Sequence, residues 1–398
     1  MKRSVKVLLV ILAIVLTAVL TYFGTCLYLT ANWTPAVSAD PVAAKIEELS
    51  AYVDRYFIDD YDTDAMVAAA ADGAAEAFVT ATGDRWSYYV SAEDMEAHNE
   101  QLYNAYVGVG ITILEVEDGF QVTSVSEGGP ADQAGVRVGD LLIEVEGRNV
   151  VGLGLDGTRD LVRGEEGTQV QACFLRDGQR LEVTMTRASI ISDVATGELL
   201  EGSIGLVTIY NFDYHCAEQT LDAIQSLLDQ GAKALIFDVR FNPGGLKDEM
   251  VEVLDVLLPE GNIFRSLDYD GREEVDRSDA DCLELPMAVL VNEDSYSAAE
   301  FFAAALQEYG VATVVGTQTC GKGNFQYTFE LSDGSAVALS VGKYFTPNGR
   351  SLTDVGVTPD VVVDMDDDDY YSLYVGVLEP EDDGQLQAAL EAMRQKIS

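Results

Sequence analysis

The apolar and polar positions change period three times along the chain. Residues 7–29 are a nearly unbroken apolar run of 23 residues, preceded by Lys2, Arg3 and Lys6. As a helix, this run would reach about 34 Å at ~1.5 Å per residue, enough to cross a bilayer. The flanking cations predict a single span with a cytoplasmic stub over 1–6 and everything after residue 29 outside the cell. A cleaved leader is the alternative, with Val37-Ser38-Ala39 as its cleavage tripeptide. The run is long for a leader, and an uncleaved anchor is favoured. A linker over 30–41 carries Pro35 and Pro41, and residues 42–103 then read as helical. Within them, 65–81 is Ala-rich with helical spacing, Gly83-Asp84 is a break, and a second helix begins near Ser91.

From 104 the period shortens to two. Val109, Ile111 and Ile113 alternate, and Phe120, Val122 and Val125 follow a Glu117-Asp118-Gly119 turn, which predicts a hairpin. A short helix over 128–135, a strand over 140–147, a helix over 155–162 and two further strands complete a compact β-rich unit, 104–188. Beyond 189, short apolar runs at 204–209, 234–239, 287–292 and 312–315 alternate with helical segments at 217–228, 247–257 and 297–309. Runs without polar alternation are strands covered on both faces, so 189–398 is expected to be an α/β core. A hairpin over 325–342, an acidic run over 364–369 and a polar helix over 385–396 close the chain.

Charge narrows the functions this frame can serve. The 398 residues contain 24 basic and 68 acidic side chains, a formal net charge of −44. Such a surface excludes nucleic-acid binding, which needs cations to displace phosphate counterions, and disfavours docking on anionic lipid headgroups. The stub holds three of the cations and none of the acids, so the remainder carries about −47. Cys173, Cys216, Cys282 and Cys320 are scattered without a CxxC pair and read as isolated thiols. His98 and His215 are the only histidines, which rules out a His-rich metal site and leaves few bases for a Ser-His-Asp triad. No metal or organic cofactor is implied. The acidic run 364–369 lacks the spacing of a calcium loop and reads as a solvated turn.

Ser297 follows an apolar strand and starts a helix, where backbone N–H groups can stabilise an oxyanion. On that feature alone a helix cap is the expected role, because Ser297-Ala298-Ala299-Glu300 is a capping box. Lys322 lies between Gly321 and Gly323; by itself it is an ordinary loop lysine. Residues 316–322 fit a GxxxxGK phosphate loop, but Gly323 stands where a hydroxyl should hold Mg²⁺, and a strand pattern follows where a helix should. A Ser-Lys pair accounts for both residues: a buried lysine loses solvation, its amine is more easily neutral, and it can take the serine proton. Gln326 could hold that amine, or be a plain strand residue. Asn242-Pro243-Gly244-Gly245 lets the backbone approach a carbonyl, although alone it reads as a strand-to-helix turn.

Together these segments resemble the carboxyl-terminal processing peptidases (tail-specific proteases), Ser-Lys serine proteases that bear a PDZ domain. Residues 238–245 resemble the family's D-x-R-x-N-P-G-G turn. Residues 291–300 resemble V-N-x-x-S-A-S-A-S-E, and 315–326 resemble V-G-x-x-T-[FY]-G-K-G-x-x-Q. The resemblance implies an α/β (α+β) protease core with a crotonase-like β-sheet, an inserted PDZ domain and a helical N-terminal segment behind a transmembrane helix. Ser297 is then the nucleophile, Lys322 the base 25 residues later and Gln326 its partner. The N–H of Gly244 or Gly245, with that of Ala298, is expected to form the oxyanion site. Residues 83–89 resemble the family's helical N-terminal segment, which implies dimer contacts. This chain departs from the pattern at Tyr296, Ala299 and Cys320, and in Glu293-Asp294.

In the inserted unit, Gly108, Val109, Gly110 and Ile111 stand in the place of the PDZ carboxylate loop, whose successive N–H groups grip a C-terminal carboxylate. Arg163 resembles a family position that couples PDZ orientation to the active site; equally, it is a cation favoured at a helix C-terminus. The expected protein is therefore a membrane-anchored extracytoplasmic endopeptidase acting on proteins with apolar C-termini. The alternative is a silent PDZ adaptor on a protease scaffold, against which intact Ser297, Lys322 and Gln326 count.

Overall fold

The computed structural model describes residues 3–31 and 40–397, with side chains for 11–25, 27, 28 and 40–397. It divides into two compact units, Met1–Phe78 and Val79–Ser398. The first holds the helices Arg3–Ala31 and Pro41–Tyr56 and most of Thr63–Thr80. Among the described residues no helix is long and apolar enough to cross a membrane. The span expected over 7–29 falls partly on side chains outside the described ones, and Val37-Ser38-Ala39 lies wholly outside them. Pro41–Tyr56 starts where its sequence says it should. The Asp40 carboxylate accepts the Val42 and Ala43 N–H groups at 2.9 and 3.0 Å, and Pro41 has no N–H to satisfy.

The second unit is built on a six-stranded sheet in the order Ala195–Leu200, Ile204–Ile209, Ala234–Asp238, Met287–Val291, Ala312–Gly316, Val361–Val362. The first pair is antiparallel and the rest are parallel. Side chains alternate between two covered faces. Leu235, Phe237, Met287, Val289 and Val291 pack with the helices Cys216–Asp229, Lys247–Leu257 and Ala298–Glu308. Ala234, Ile236, Ala288 and Leu290 pack with Leu386, Ala389, Leu390 and Met393 of the helix Gly384–Ile397. Burial on both faces explains why these strands are continuous apolar runs in the sequence. Arg240 ties the two halves together. Buried, it donates to Asp238 and, across to the start of the C-terminal helix, to Asp383 and Gln385. Burial disfavours its charged form, but the two carboxylates more than offset that and raise its pKa.

An antiparallel sheet lies alongside, made of Gly261–Asp268, Glu273–Ser278, Asn324–Glu330, Ala336–Phe345 and the short strand Tyr88–Val90. That last strand corrects the expectation of helix throughout 42–103. Tyr88, Tyr89 and Val90 pair with Ala338, Val337 and Ala336, and aromatic and β-branched residues suit such a pleat. A second correction concerns 364–369, which is no turn: Asp366 accepts the Asp369 N–H at 2.9 Å and starts the helix Asp367–Tyr374. Acids in the first turn favour the positive helix end.

The β-rich insert has its own core around Phe120, Val122, Leu142, Val170 and Phe174. Its strands run Ile111–Val116, Gly119–Val125, Leu141–Val145, Gln169–Arg176, Gln179–Thr186, with the helix Gly154–Val162 against them. The chain enters and leaves through a two-stranded ribbon, Ala105–Gly108 against Ala188–Ile191, in which Gly108 is opposite Ala188.

Candidate active site

Ser297 sits between the buried strand Met287–Val291 and the helix Ala298–Glu308, with backbone angles of φ 59° and ψ −124°. This is a costly conformation for a residue with a side chain, and it persists only where neighbours impose it. The turn before it does so. Ser295, fully buried, donates its hydroxyl to the Val239 carbonyl at 2.7 Å and accepts the Asn292 N–H at 3.0 Å. The Tyr296 N–H donates to the Asn242 carbonyl at 3.1 Å, locking this turn to the 242–245 turn. Ser297 and Glu300 form the expected capping box, in which the Glu300 carboxylate accepts the Ser297 N–H at 3.1 Å. The Ser297 hydroxyl can only accept in that box, and it donates to no protein acceptor among the described residues, so its proton is available for chemistry.

Gly244 and Gly245 separate into different roles. A Cβ on Gly244 would lie 2.7 Å from the Ser297 Cβ and 2.8 Å from the Ala298 nitrogen, so only glycine lets this turn reach the serine. Its N–H, however, is already donated to the Asn242 side-chain oxygen at 2.8 Å. Gly245 bridges to Phe212 through its neighbours, Phe212 N–H to the Gly244 carbonyl and Leu246 N–H to the Phe212 carbonyl. In that parallel bridge the Gly245 N–H points the other way. The Gly245 and Ala298 N–H groups have no protein acceptor among the described residues. Of the two glycines, Gly245 is the one whose N–H has no protein acceptor among the described residues.

Lys322 reaches the same place from the loop after Ala312–Gly316. Its N–H donates to Glu300 Oε2 at 2.8 Å, the oxygen that also holds the Ser297 N–H. Gly321 N–H and the Thr319 hydroxyl donate to Glu300 Oε1. One fully buried carboxylate thus gathers both candidate residues by their main chains. Burial pushes the Glu300 carboxyl above its usual range, only partly offset by these donors. The Lys322 amine itself makes no hydrogen bond or ion pair among the described residues. It lies 4.8 Å from the centre of the Trp86 ring and 5.8 Å from that of Tyr296. Loss of solvation lowers its pKa, against weaker opposing pulls from Asp84, Cys320 and Glu300.

Gln326 does not hold the amine. Its side-chain nitrogen donates to the Ser340 hydroxyl at 3.0 Å and the Asn324 carbonyl at 3.3 Å. Sequence reasoning also missed two participants. Glu300 was legible only as a helix cap, since nothing in the spacing shows that a loop 20 residues on will hang from it. Trp86 fell in a segment expected to be helical and turned outward to a second copy.

The insert carries a second site, a cavity of about 260 Å³. Gly108, Val109, Gly110 and Ile111 line one wall, and Leu155 and Val162 of the helix face them. Gly110 takes φ 75°, and its carbonyl accepts the Ser126 N–H at 2.9 Å. Arg163 stands at the edge, paired with Glu100 at 2.7 Å and 5.0 Å over the Tyr106 ring.

Two parts of the chain match known families. Residues 203–363 match peptidase family S41, and residues 121–171 match a PDZ domain. The chain is 31% identical over 375 residues to the carboxy-terminal processing protease CtpA of Bacillus subtilis (strain 168), covering 92% of this chain and 79% of that one. To a probable CtpA-like serine protease of Staphylococcus aureus (strain COL) it is 32% identical over 325 residues, 80% of this chain but only 64% of the relative. Among solved structures, a putative S41 protease from Bacteroides fragilis has the same fold, with a TM-score of 0.51 at 18% identity over 81% of this chain and 90% of that one.

Proposed function

This chain belongs to the carboxy-terminal processing proteases of peptidase family S41 and carries a PDZ domain; from that premise we propose that it cleaves proteins by a Ser297–Lys322 dyad. The neutral Lys322 amine takes the Ser297 proton as Oγ bonds to the peptide carbonyl carbon. The oxygen that gains charge is met by the Gly245 and Ala298 N–H groups. As the C–N bond breaks, Lys322 returns the proton to the leaving amine, and water then hydrolyses the acyl-enzyme by the same route. The observation that carries this reading is the shared Glu300 oxygen, which fixes both main chains while leaving the hydroxyl proton and the amine without a protein acceptor.

The PDZ cavity takes the substrate's C-terminus, its apolar wall favouring an apolar last residue. Arg163, joined to Glu100 before the ribbon and to Tyr106 within it, is the residue through which an occupied cavity is felt by the core. The run 7–29 serves as an uncleaved anchor with the catalytic unit outside the cell; its support is the uninterrupted apolar sequence behind three cations. Leu49, Tyr52 and Tyr56, exposed on Pro41–Tyr56, suit a dimer contact.

The test uses the full chain in detergent, an unfolded protein as substrate and a fluorophosphonate as serine probe. Wild type should cleave and be labelled, and Ser297→Ala and Lys322→Ala should each lose at least about a hundredfold in rate. Undiminished cleavage by either variant overturns the dyad, and a wild type that binds tails without cleaving or labelling is the adaptor instead.

A further inference from the structure

We propose that the turn 84–87 belongs to the base's own site: Trp86 is a positioning residue that roofs the Lys322 amine, Asp84 is the charge set against it, and together they fix the pH at which the base works. The inference rests on the Ser297–Lys322 reading and goes beyond it, because the turn is far from either residue in sequence and carries no catalytic group.

The turn is built into the core. Asp84 accepts the Trp86 N–H at 3.2 Å and the Ser87 hydroxyl at 2.6 Å. Ser87 in turn accepts the Ser340 N–H at 3.0 Å, and the Ser340 hydroxyl accepts from Gln326. Gln326 therefore braces this turn rather than the amine. So held, the Trp86 ring packs tilted against Tyr296 at 5.6 Å between centroids, and the Lys322 amine lies near both rings. Arg85 lies 4.2 Å over the Trp86 ring and donates to the Cys320 sulfur at 3.6 Å, closing the wall from the loop that bears the lysine.

The titratable groups that act on the amine are Asp84 from the turn, the Cys320 thiol from its own loop and Glu300 from the helix, with the Arg85 guanidinium on the Trp86 ring beside them. Two of the turn's effects on the base oppose each other. The indole excludes water, which disfavours the ammonium, although its ring face attracts a cation. Desolvation is the larger effect at Lys322, so removing the indole should make the base harder to deprotonate. Asp84 stabilises the ammonium, and its carboxyl is itself kept ionised: burial pushes it up, but bonds from Ser340, Ser87 and Trp86 pull it down further. Removing that charge should make the base easier to deprotonate. A turn that served only to hold the fold together would not shift the base in opposite directions.

The rate of fluorophosphonate labelling of the full chain, followed against pH, reads this directly. Wild type should rise with pH through a limb that is absent from Lys322→Ala. Trp86→Ala should move that limb up by about one unit, a loss of about tenfold below it with recovery above it. Trp86→Phe should leave it near the wild-type position, and Asp84→Asn should move it down. Limbs that stay put, or that move the same way in Trp86→Ala and Asp84→Asn, overturn the inference while leaving the dyad standing. A limb that persists in Lys322→Ala overturns the dyad and this inference with it. Should Trp86→Ala fail to fold, the direction of the Asp84→Asn shift still decides: upward or absent, the inference falls.

Discussion

Single residues in this core answer to their surroundings more than to their kind. Glu300 is a carboxylate turned into a main-chain anchor, with four donors on two oxygens. Glu300→Gln keeps the size but turns an NH₂ group toward N–H donors. Each buried donor left unpaired costs about 1–3 kcal/mol. The variant should lose at least about tenfold in labelling rate and show a lower melting temperature, whereas a surface change such as Glu391→Gln should show neither effect. Asp213, beside the 242–245 turn, is the opposite case. Burial and the nearby Glu249 carboxylate push its pKa up to about 7. Between the unfolded value and 7 the folded state keeps a proton that the unfolded state has lost, so stability falls as pH rises through that window. Asp213→Asn should therefore gain stability at pH 8, on the order of 2–3 kcal/mol, and almost none near pH 4. Denaturant midpoints at the two pH values measure this; an equal gain at both would rule out the charge as its source.

Elements were legible in proportion to how much of their pattern is their own. The strand Ile204–Ile209 and the helix Lys247–Leu257 fall where the apolar spacing puts them, because each buries a face that its own sequence encodes. Tyr88–Val90 was hidden because three residues carry no period, and its partner lies some 250 residues away at Ala336–Ala338. Asp367–Tyr374 was hidden by its acids, which read as solvent-seeking although Tyr370 and Tyr374 lay their rings on Phe241. The candidate serine and lysine were found through motif resemblance, while the carboxylate and indole that organise them needed the third dimension. The C-terminal helix Gly384–Ile397 is pinned by Arg240 to the strand that precedes the 242–245 turn. Arg240→Ala strands Asp238 and Asp383 in the interior, at a cost of about 3–5 kcal/mol. Hydrogen exchange should quicken first in 384–397; uniform quickening across the central sheet would deny this helix a separate hold.

The whole molecule is set by charge and by insertion. With −44 on 398 residues, self-repulsion opposes compactness, and added salt screens it over about 10 Å at 0.1 M. The melting temperature should rise between roughly 0.01 and 0.15 M salt, and a fall would place the dominant charge effects in local ion pairs instead. The ribbon that leads into the PDZ domain has a further consequence. Because Gly108 and Ala188 face each other across an antiparallel pair, their Cα atoms are only about 5 Å apart. The domain hangs from the catalytic core as a loop with a closed neck. A two-residue Asn-Gly turn could join the strands and excise 79 residues without stretching either one. In topological terms the PDZ domain is a removable cassette, and a foreign β-domain with adjacent termini could be spliced into the same neck to give the peptidase a different way of choosing its chains.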